Sequence, residues 1–302
     1  MQAVLITGGS GLIGSVLSEK LLNRGYQVFH LSRSTSNSNS IKIYKWDYHS
    51  SFIDPEAIQK ADFIIHLAGE SLVQKRWTKK QKLSIIESRV KTTDLLFKEV
   101  KKQNKKLKAF IAASGVGYYG AINSDDIATE ENQYHNDFLG NVCLQWEKSA
   151  EPFNELGIRT VALRTGMVLS SKGGALSKLL PTFKWGIGSA IGSGQQNVSW
   201  IHIDDLCEMY IKAIEDDKMQ GPYNAVAPEQ VSNFKFSKML ANSLKKSFWM
   251  PNIPGVILKL MLGEMSIMLL KGSRVSSEKI EETGFSFSFP TIKSALQNLI
   301  EK

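Results

Sequence analysis

The chain has 302 residues, of which 42% are hydrophobic, 22% are charged, 23 are glycine and 8 are proline. This composition indicates an ordinary folded protein of one large or two modest domains, and it argues against disordered, collagen-like and disulfide-framework classes. The two cysteines, Cys143 and Cys207, are too few for a cysteine-rich metal site and fit a reducing compartment. The formal net charge of +8 raises the question of a nucleic-acid partner.

Apolar β-rich runs alternate with helical runs in the first half of the chain, which predicts β-α-β units. We expect the first strand at Ala3–Thr7 and the first helix at residues 12–24, with Gly25 ending that helix in the left-handed conformation. Further strands are expected at residues 27–33, 41–46, 62–69, 108–115 and 160–169. Several of these strands are apolar without alternation, so both faces of the sheet should be covered. The sequence therefore predicts an α/β fold with a doubly wound parallel sheet of the Rossmann type.

After residue 169 the sequence pattern changes. Glycine-rich loops are followed by one more strand-helix pair at 200–216 and by a helical tail. We expect two lobes. The Rossmann domain should comprise residues 1–169 plus about 200–221, and a smaller, mostly C-terminal α/β substrate lobe should comprise about 170–199 plus 222–302. The Ser/Asn run at 34–40 reads as a polar connection.

The excess lysines lie mainly in two runs, at 75–82 and 98–108, among apolar residues at helical spacing. A solvated helix face accounts for them, so we expect no nucleic-acid partner. The apolar stretch at 256–270 contains Lys259 and Glu264 and is shorter than the roughly 20 residues that a membrane helix needs. We expect a cytoplasmic protein with no membrane partner.

A glycine-rich turn lies between the first strand and the first helix. Its G-x-G-x-x-G pattern uses Gly9 for a tight turn, Gly11 for close approach to a pyrophosphate and Gly14 for helix-strand packing. The diphosphate of a dinucleotide would lie on the helix N-terminus. The predicted cofactor residues of this turn are Thr7, Gly8, Gly9, Ser10, Gly11, Leu12, Ile13 and Gly14.

The end of the second strand discriminates between the two nicotinamide dinucleotides. An NAD site places an acidic residue there for the ribose hydroxyls, whereas this chain has Ser32, Arg33 and Ser34. A guanidinium suits the additional phosphate of NADP, so NADP is predicted in preference to NAD. After the fourth strand, backbone could pass under the cofactor in a run that adds Leu67, Ala68, Gly69 and Glu70 to the candidate residues.

Several longer motifs resemble those of the extended short-chain dehydrogenase/reductase superfamily: T-G-G-x-G-x-x-G, L-A-G, S-G-V-G-Y-Y-G, R-T-G-x-V-L and W-I-H-I-D-D-L. More narrowly, L-A-G-E, S-R-V-K-T-T, V-C-L-Q-W-E and G-S-G-Q-Q-N-V-S-W-I-H-I-D-D-L resemble its atypical "epimerase family" branch, which carries a C-terminal domain of unknown function. The resemblance covers nearly the whole chain. It implies NADP contacts by Ser32, Arg33, Leu67, Ala68 and Arg89. Arg164 and Val168 are further candidate cofactor residues.

The superfamily's Tyr-x-x-x-Lys motif, in which the Lys lowers the pKa of the Tyr, is missing. The corresponding helix has Cys143 and Glu147 instead, and Lys148 is turned about 100° away. Ser114, after the fifth strand, is the expected hydrogen-bond donor to a substrate carbonyl. The other catalytic candidates are Tyr118 or Tyr119 as a surrogate acid, Cys143 as a nucleophile, and Glu147 as a general base or as a partner of Arg89.

No metal site is predicted, because His202, Asp204 and Asp205 are better explained by Asp204 capping a helix that begins near Asp205. Trp185, Trp200 and Trp249 are placed where flat side chains could cover a substrate. The Met261, Met265 and Met268 series reads as core or a pocket wall.

Two functions stay open. One is an NADP-dependent oxidoreductase, epimerase or dehydratase acting on a sugar-nucleotide-like or small carbonyl substrate; the other is a non-catalytic NADP(H) sensor. A homodimer is left open.

Overall fold

The computed structural model describes residues 1–34 and 41–300. Apart from Ser34, the polar connection expected at 34–40 lies outside the described residues. The strands are β1 (Ala3–Thr7), β2 (Gln27–Ser32), β3 (Lys42–Asp47), β4 (Phe52–Ile53), β5 (Phe63–His66), β6 (Ala109–Gly115), β7 (Ile127–Ala128), β8 (Arg159–Thr165), β9 (Met167–Leu169), β10 (Asn197–Val198), β11 (Trp200–His202), β12 (Gly221–Ala225), β13 (Val231–Ser232) and β14 (Arg274–Val275). The α-helices are α1 (Leu12–Asn23), α2 (Pro55–Lys60), α3 (Lys79–Lys102), α4 (Phe138–Ala150), α5 (Pro152–Glu155), α6 (Gly174–Lys184), α7 (Ile203–Glu215), α8 (Asn233–Ser243), α9 (Gly255–Leu262), α10 (Ile267–Leu270), α11 (Glu278–Glu282) and α12 (Ile292–Ile300). Short 3₁₀ helices occupy Val116–Tyr119 and Gly263–Ser266.

The large sheet has eight strands in the order β12-β8-β6-β5-β1-β2-β3-β4. Its strand pairs are parallel except for the antiparallel pairing of β4 with β3. The chain builds outward from β1 through β2 and β3, and then returns to the other side of β1 with β5. The order therefore reverses between β1 and β5, and the crevice at the carboxyl ends of these strands is where such sheets bind ligands. The doubly wound α/β sheet expected from the sequence is confirmed.

Both faces of the sheet are covered. Val4 and Ile6 of β1 join a buried cluster with α1 and α7, whereas the intervening Leu5 joins a cluster with α2 and α3. Helix α1 ends at Asn23, and Gly25 has the expected left-handed φ of 81°. The continuous apolarity of β1 therefore reflects burial on both sides.

The strand expected at residues 160–169 is instead two strands, β8 and β9. β8 lies in the large sheet, while β9 pairs with β11 in a separate sheet. The break lies at Gly166, where a Cβ would approach the Ser199 carbonyl oxygen to 2.6 Å. The 198–200 segment crosses so closely here that the chain leaves the large sheet.

The smaller lobe is built around α6, α8 and α12, whose apolar side chains form a separate buried cluster. Trp200 belongs to that cluster and is fully buried, so the expectation that it covers a substrate is wrong. Trp185 and Trp249 are 82% and 69% exposed. β12 begins at Gly221 and extends the large sheet, while the exact division into two lobes stays a prediction.

The methionine series at helical spacing does not form one wall. Met265 is buried among Trp77, Ile85 and Leu139, whereas Met261 is 63% exposed. In the part of the chain that the structure describes, no helix combines the length and apolar character needed to cross a bilayer.

Candidate functional site

The glycine-rich turn joins β1 to α1 at the switch point of the sheet. The Gly8 carbonyl accepts from the Gly11 N–H at 3.0 Å, and Gly8 has a left-handed φ of 71°. A Cβ on Gly14 would lie 2.4 Å from the Gly8 oxygen and 2.6 Å from the Gly9 Cα, so only glycine fits. No described side chain caps the N-terminus of α1, and its first turn carries no acidic residue. Its N–H groups and dipole therefore remain available to an anion.

The side chain of His30, in β2, packs against the glycine-rich turn at Gly9. A Cβ on Gly9 would lie 2.4 Å from the His30 ring. Ser18 donates its hydroxyl proton to the Gly14 carbonyl at 2.6 Å, so its oxygen accepts from His30 Nε2 at 2.8 Å. Burial lowers the pKa of His30, which keeps the ring neutral. This buried histidine of β2 thus fixes the shape of the turn.

A second histidine joins β1 to the loop that follows β5. Thr7 Oγ1 accepts from the N–H groups of Leu67 and Ala68, both at 3.1 Å, which leaves its proton for His66 Nδ1 at 2.7 Å. Nε2 of His66 then carries the ring proton and lies 3.1 Å from Thr92 Oγ1. Burial lowers the pKa of His66 to about 3. The neutral ring therefore ties both sides of the crevice to α3.

Arg89 of α3 lies beside that loop and is 8% exposed. Its guanidinium donates to the carbonyls of Glu70 and Ile85 at 3.0 and 2.9 Å and lies 4.8 Å from the Trp146 ring centroid. Burial lowers the pKa of Arg89 to about 10. A Cβ on Gly69 would come within 2.9 Å of Arg89 Cζ, so this glycine permits a close approach by the cation.

Glu70 anchors the same loop to α3. Its carboxylate accepts from Ser84 and Gln81, and its N–H donates to Ser88 Oγ. The hydrogen bond from Ser84 is the main reason that the pKa of Glu70 is lowered. Glu70 therefore holds the loop rather than offering a free carboxylate.

The end of β2 is open to solvent at the positions that are predicted to discriminate NADP from NAD. Arg33 and Ser34 are exposed, Ser32 is half-buried, and Ser32 Oγ accepts from the Ser34 N–H at 3.3 Å. The charge of Arg33 also acts on Asp47 at the end of β3, whose pKa is lowered mainly by a hydrogen bond from the His49 N–H and to a lesser extent by Arg33.

A buried ion pair joins α4 to β8 at the end of β6. Ser114 donates to Glu147 Oε1 at 2.6 Å, and Arg164 donates to both Glu147 oxygens from Nε and Nη2 at 2.9 and 2.8 Å. The Arg164 side chain is 3% exposed. Burial opposes the charge of Arg164, but its bonds to Glu147 raise its pKa above the ordinary value. Glu147 therefore pairs with Arg164, and the expected pairing with Arg89 is wrong.

The two tyrosines occupy different surroundings around Arg164. Its guanidinium lies 3.5 Å from the ring centroid of Tyr118. Tyr119 donates to Asn224 Oδ1 at 2.7 Å and accepts from Arg164 Nη1 at 2.9 Å. Burial raises the pKa of Tyr119 to about 12. Its hydroxyl is thus committed to a network that ties the 3₁₀ helix Val116–Tyr119 to β12.

Cys143 lies on the same face of α4 as Glu147 and is buried. Its Sγ lies 3.7 Å from the position that a Cβ would take on Gly115 or Gly117. Burial, reinforced by the charge of Glu147, raises the pKa of this thiol to about 11. The geometry thus favours the thiol form. Lys148, as expected from its position on the helix, is exposed.

The remaining candidates flank the glycine turn. Val168 is half-buried in β9, opposite Ile201. The side chain of Leu12 faces Gly173, where a Cβ would lie 3.2 Å from Leu12 Cδ1. Leu12 and Ile13 are half-buried, and Ser10 is exposed.

The expectation that Asp204 caps α7 is wrong, because α7 begins at Ile203. His202 is its N-cap, and its Nδ1 accepts from the Asp204 N–H at 3.1 Å. Asp205 instead accepts from the N–H groups of Ser288 and Phe289 at 2.9 and 3.0 Å, which joins α7 to the C-terminal segment. The Asp204 carboxylate lies 3.3 Å from Lys20 Nζ, so both carboxylates have structural partners. In the described ranges, no cluster of metal-ligating side chains is found.

The comparisons with known proteins agree with this architecture. A model of the NAD dependent epimerase/dehydratase family matches residues 4–226, and a domain of unknown function, DUF1731, matches residues 253–299. An epimerase family protein of Staphylococcus aureus (strain N315) is 35% identical, with full coverage of both chains. The epimerase family protein YfhF of Bacillus subtilis (strain 168) is 34% identical over 98% of this chain and 97% of its own.

Solved structures extend the likeness. A crystal structure of the human epimerase family protein SDR39U1 with NADPH is 31% identical, covers 99% of each chain and has a TM-score of 0.90. A UDP-glucose 4-epimerase from Thermotoga maritima, at 18% identity and a TM-score of 0.79, covers 99% of this chain and 98% of its own and shares the fold.

Proposed function

The chain belongs to the NAD dependent epimerase/dehydratase family, and on that premise we propose that it binds NADP(H) and transfers hydride to or from a small substrate. The observation that carries the proposal is the uncapped N-terminus of α1 behind a turn with no room for a Cβ at Gly14. Such a cradle fits a dinucleotide diphosphate, because backbone N–H groups can approach it without a side chain intervening.

Two arginines support NADP as the dinucleotide. Arg33 is exposed at the end of β2, where an acidic residue would favour NAD. Arg89 is a buried cation that donates to backbone carbonyls rather than to a carboxylate within the described ranges. The human relative at 31% identity was crystallised with NADPH. A phosphorylated ligand would supply a negatively charged partner for these two arginines.

Calorimetric titration with NADPH and NADH tests the binding. We expect NADPH to bind at least tenfold more tightly, because a charge-assisted contact contributes about 1.5–3 kcal/mol. Arg33→Ala should remove most of that preference and leave NADH affinity unchanged. Arg24→Ala is the matched control, since Arg24 is a surface arginine paired with Glu208. Failure of folded protein to take up either dinucleotide would refute the proposed function.

Hydride chemistry comes from the bound nicotinamide, so the chain must handle the accompanying proton. Ser114 directs its only hydroxyl proton at Glu147, which leaves its oxygen lone pairs for a substrate. This arrangement suits a substrate hydroxyl as donor, in place of the expected donation from Ser114 to a substrate carbonyl: the substrate proton would pass to Ser114 Oγ while the Ser114 proton passes to Glu147. Arg164 holds the carboxylate in place with two hydrogen bonds.

The same geometry favours a second candidate, a non-catalytic NADP(H) sensor. Cys143 and Tyr119 have raised pKa values of about 11 and 12, so neither is poised for proton transfer at neutral pH. A panel of sugar-nucleotide and small carbonyl compounds separates the two functions by NADPH absorbance. An oxidoreductase should consume NADPH, or form it from NADP⁺, with at least one compound and lose that turnover in Ser114→Ala, whereas a sensor should do neither.

A further inference from the structure

Helix α9 is unusual because Lys259 is its only polar residue and yet the helix lies on the surface. Its sequence is GVILKLML, and none of its residues is buried. Val256, Ile257, Leu260 and Met261 are 67%, 47%, 75% and 63% exposed. These four side chains share one side of the helix, and we call them the apolar helix face. An exposed apolar face of this kind normally marks a surface that a partner covers.

The opposite side of α9 is held by the rest of the protein. Gly255 packs against Leu270, and Leu262 joins the apolar cluster that contains Met265. At the C-terminal end, Arg76 Nη2 donates to the carbonyls of Leu260 and Met261 at 3.1 and 2.6 Å. The helix is therefore anchored with the apolar helix face outward.

The chain segment that leads into and through α9 carries charge of one sign, and the acidic residue that follows the helix, Glu264, is paired with Lys82. From residue 230 to residue 263 the chain contains five lysines and no acidic residue. Lys245, Lys246 and Lys259 are exposed, as is Trp249. Apolar side chains, an exposed tryptophan and flanking lysines are the combination with which interfacial helices bind anionic lipid surfaces.

A second copy of the chain fits these observations less well. It would bring the same lysines together, and four side chains are few beside the 20–30 residues, roughly, that a stable interface uses on each partner. An anionic bilayer surface complements both features at once, since lipid headgroups neutralise the lysines and acyl chains accept the apolar helix face.

We propose that the apolar helix face and its flanking lysines bind the surface of anionic lipid bilayers, with α9 lying in the plane of the interface. At 1.5 Å per residue an eight-residue helix is about 12 Å long, so it lies on a bilayer and does not span it. The expectation of no membrane partner considered only a spanning helix. This proposal does not depend on the function proposed for the cofactor site.

Co-sedimentation of the full chain with vesicles tests the proposal. We expect binding to phosphatidylcholine vesicles that contain phosphatidylglycerol, and at least tenfold weaker binding to phosphatidylcholine alone. The double variant Val256→Glu with Leu260→Glu should bind the anionic vesicles at least tenfold more weakly. Because both side chains are exposed, this variant should fold and keep the Tm of the wild type within about 1 °C. Phe52→Glu, at a side chain 45% exposed on the edge strand β4, is the matched control and should bind like the wild type.

Three results would overturn the proposal. The first is no binding of the wild type to anionic vesicles, and the second is equal loss in the Phe52→Glu control. The third is a concentration-dependent dimer in light scattering that the double variant abolishes, which would assign the apolar helix face to a second copy of the chain.

Discussion

Removing the carboxylate of Glu147 should destabilise the protein more than any exposed carboxylate would. In Glu147→Ala, Ser114 loses its acceptor and Arg164 loses both charge-assisted hydrogen bonds. The Arg164 side chain is 3% exposed, so water cannot replace the missing charge without local rearrangement. Breaking one side of a buried ion pair costs about 3–5 kcal/mol, because the remaining charge is left unpaired.

That cost converts into a measurable change in melting temperature. At about 2.1 cal/mol/K per residue, a chain of 302 residues has an unfolding entropy of about 0.6 kcal/mol/K. Glu147→Ala should therefore lower Tm by about 5–8 °C in differential scanning calorimetry. Glu87→Ala removes one half of an exposed helical pair with Lys91 and should change Tm by less than about 1 °C.

Neutralising both partners provides the decisive comparison. Glu147→Leu combined with Arg164→Met removes both charges and keeps apolar volume, so the double variant should recover most of the loss. A Tm for Glu147→Ala within about 1 °C of that of Glu87→Ala would refute the reasoning, since it would mean that Arg164 is solvated.

Three further predictions concern the glycine turn, a buried histidine and the thiols. Gly14→Ala should weaken NADPH binding at least about tenfold in calorimetric titration, because its Cβ would collide with the Gly8 and Gly9 backbone; Gly157→Ala, in a left-handed turn outside the site, should cost about 1 kcal/mol of stability and leave affinity unchanged. Burial lowers the pKa of His66 to about 3, so the unfolded chain takes up the extra proton below about pH 6.5, and stability is lost as pH falls from there. In urea denaturation, His66→Gln should reduce that slope by about 1 kcal/mol per pH unit between about pH 6 and 4.5, and equal slopes would contradict the assignment. Iodoacetamide at mildly alkaline pH should label Cys143 and Cys207 only after unfolding, because burial raises both thiol pKa values; labelling of the native protein, read by mass spectrometry, would count against this.

The sequence by itself determined those elements whose formation depends on residues close together in the chain. The glycine spacing at residues 9–14 predicted the turn and the helix after it, because close backbone approach requires a missing Cβ at those positions. Unbroken apolar strands predicted a sheet covered on both faces, and the structure has that sheet. The loss of Tyr and Lys was also visible in the sequence, since helical spacing alone places Cys143 and Glu147 on one face.

Only the tertiary structure decided which distant groups meet. Glu147 could have paired with Arg89 by charge, yet β8 places Arg164 against it, and Tyr119 finds Asn224 at a separation of 105 residues. Gly166 ends a strand because another segment crosses it, which no local pattern records. Trp200 and Val256 are both large and apolar, but one is buried and the other faces outward. Spacing along the chain specifies the faces of each element, whereas partners and exposure depend on which elements pack together.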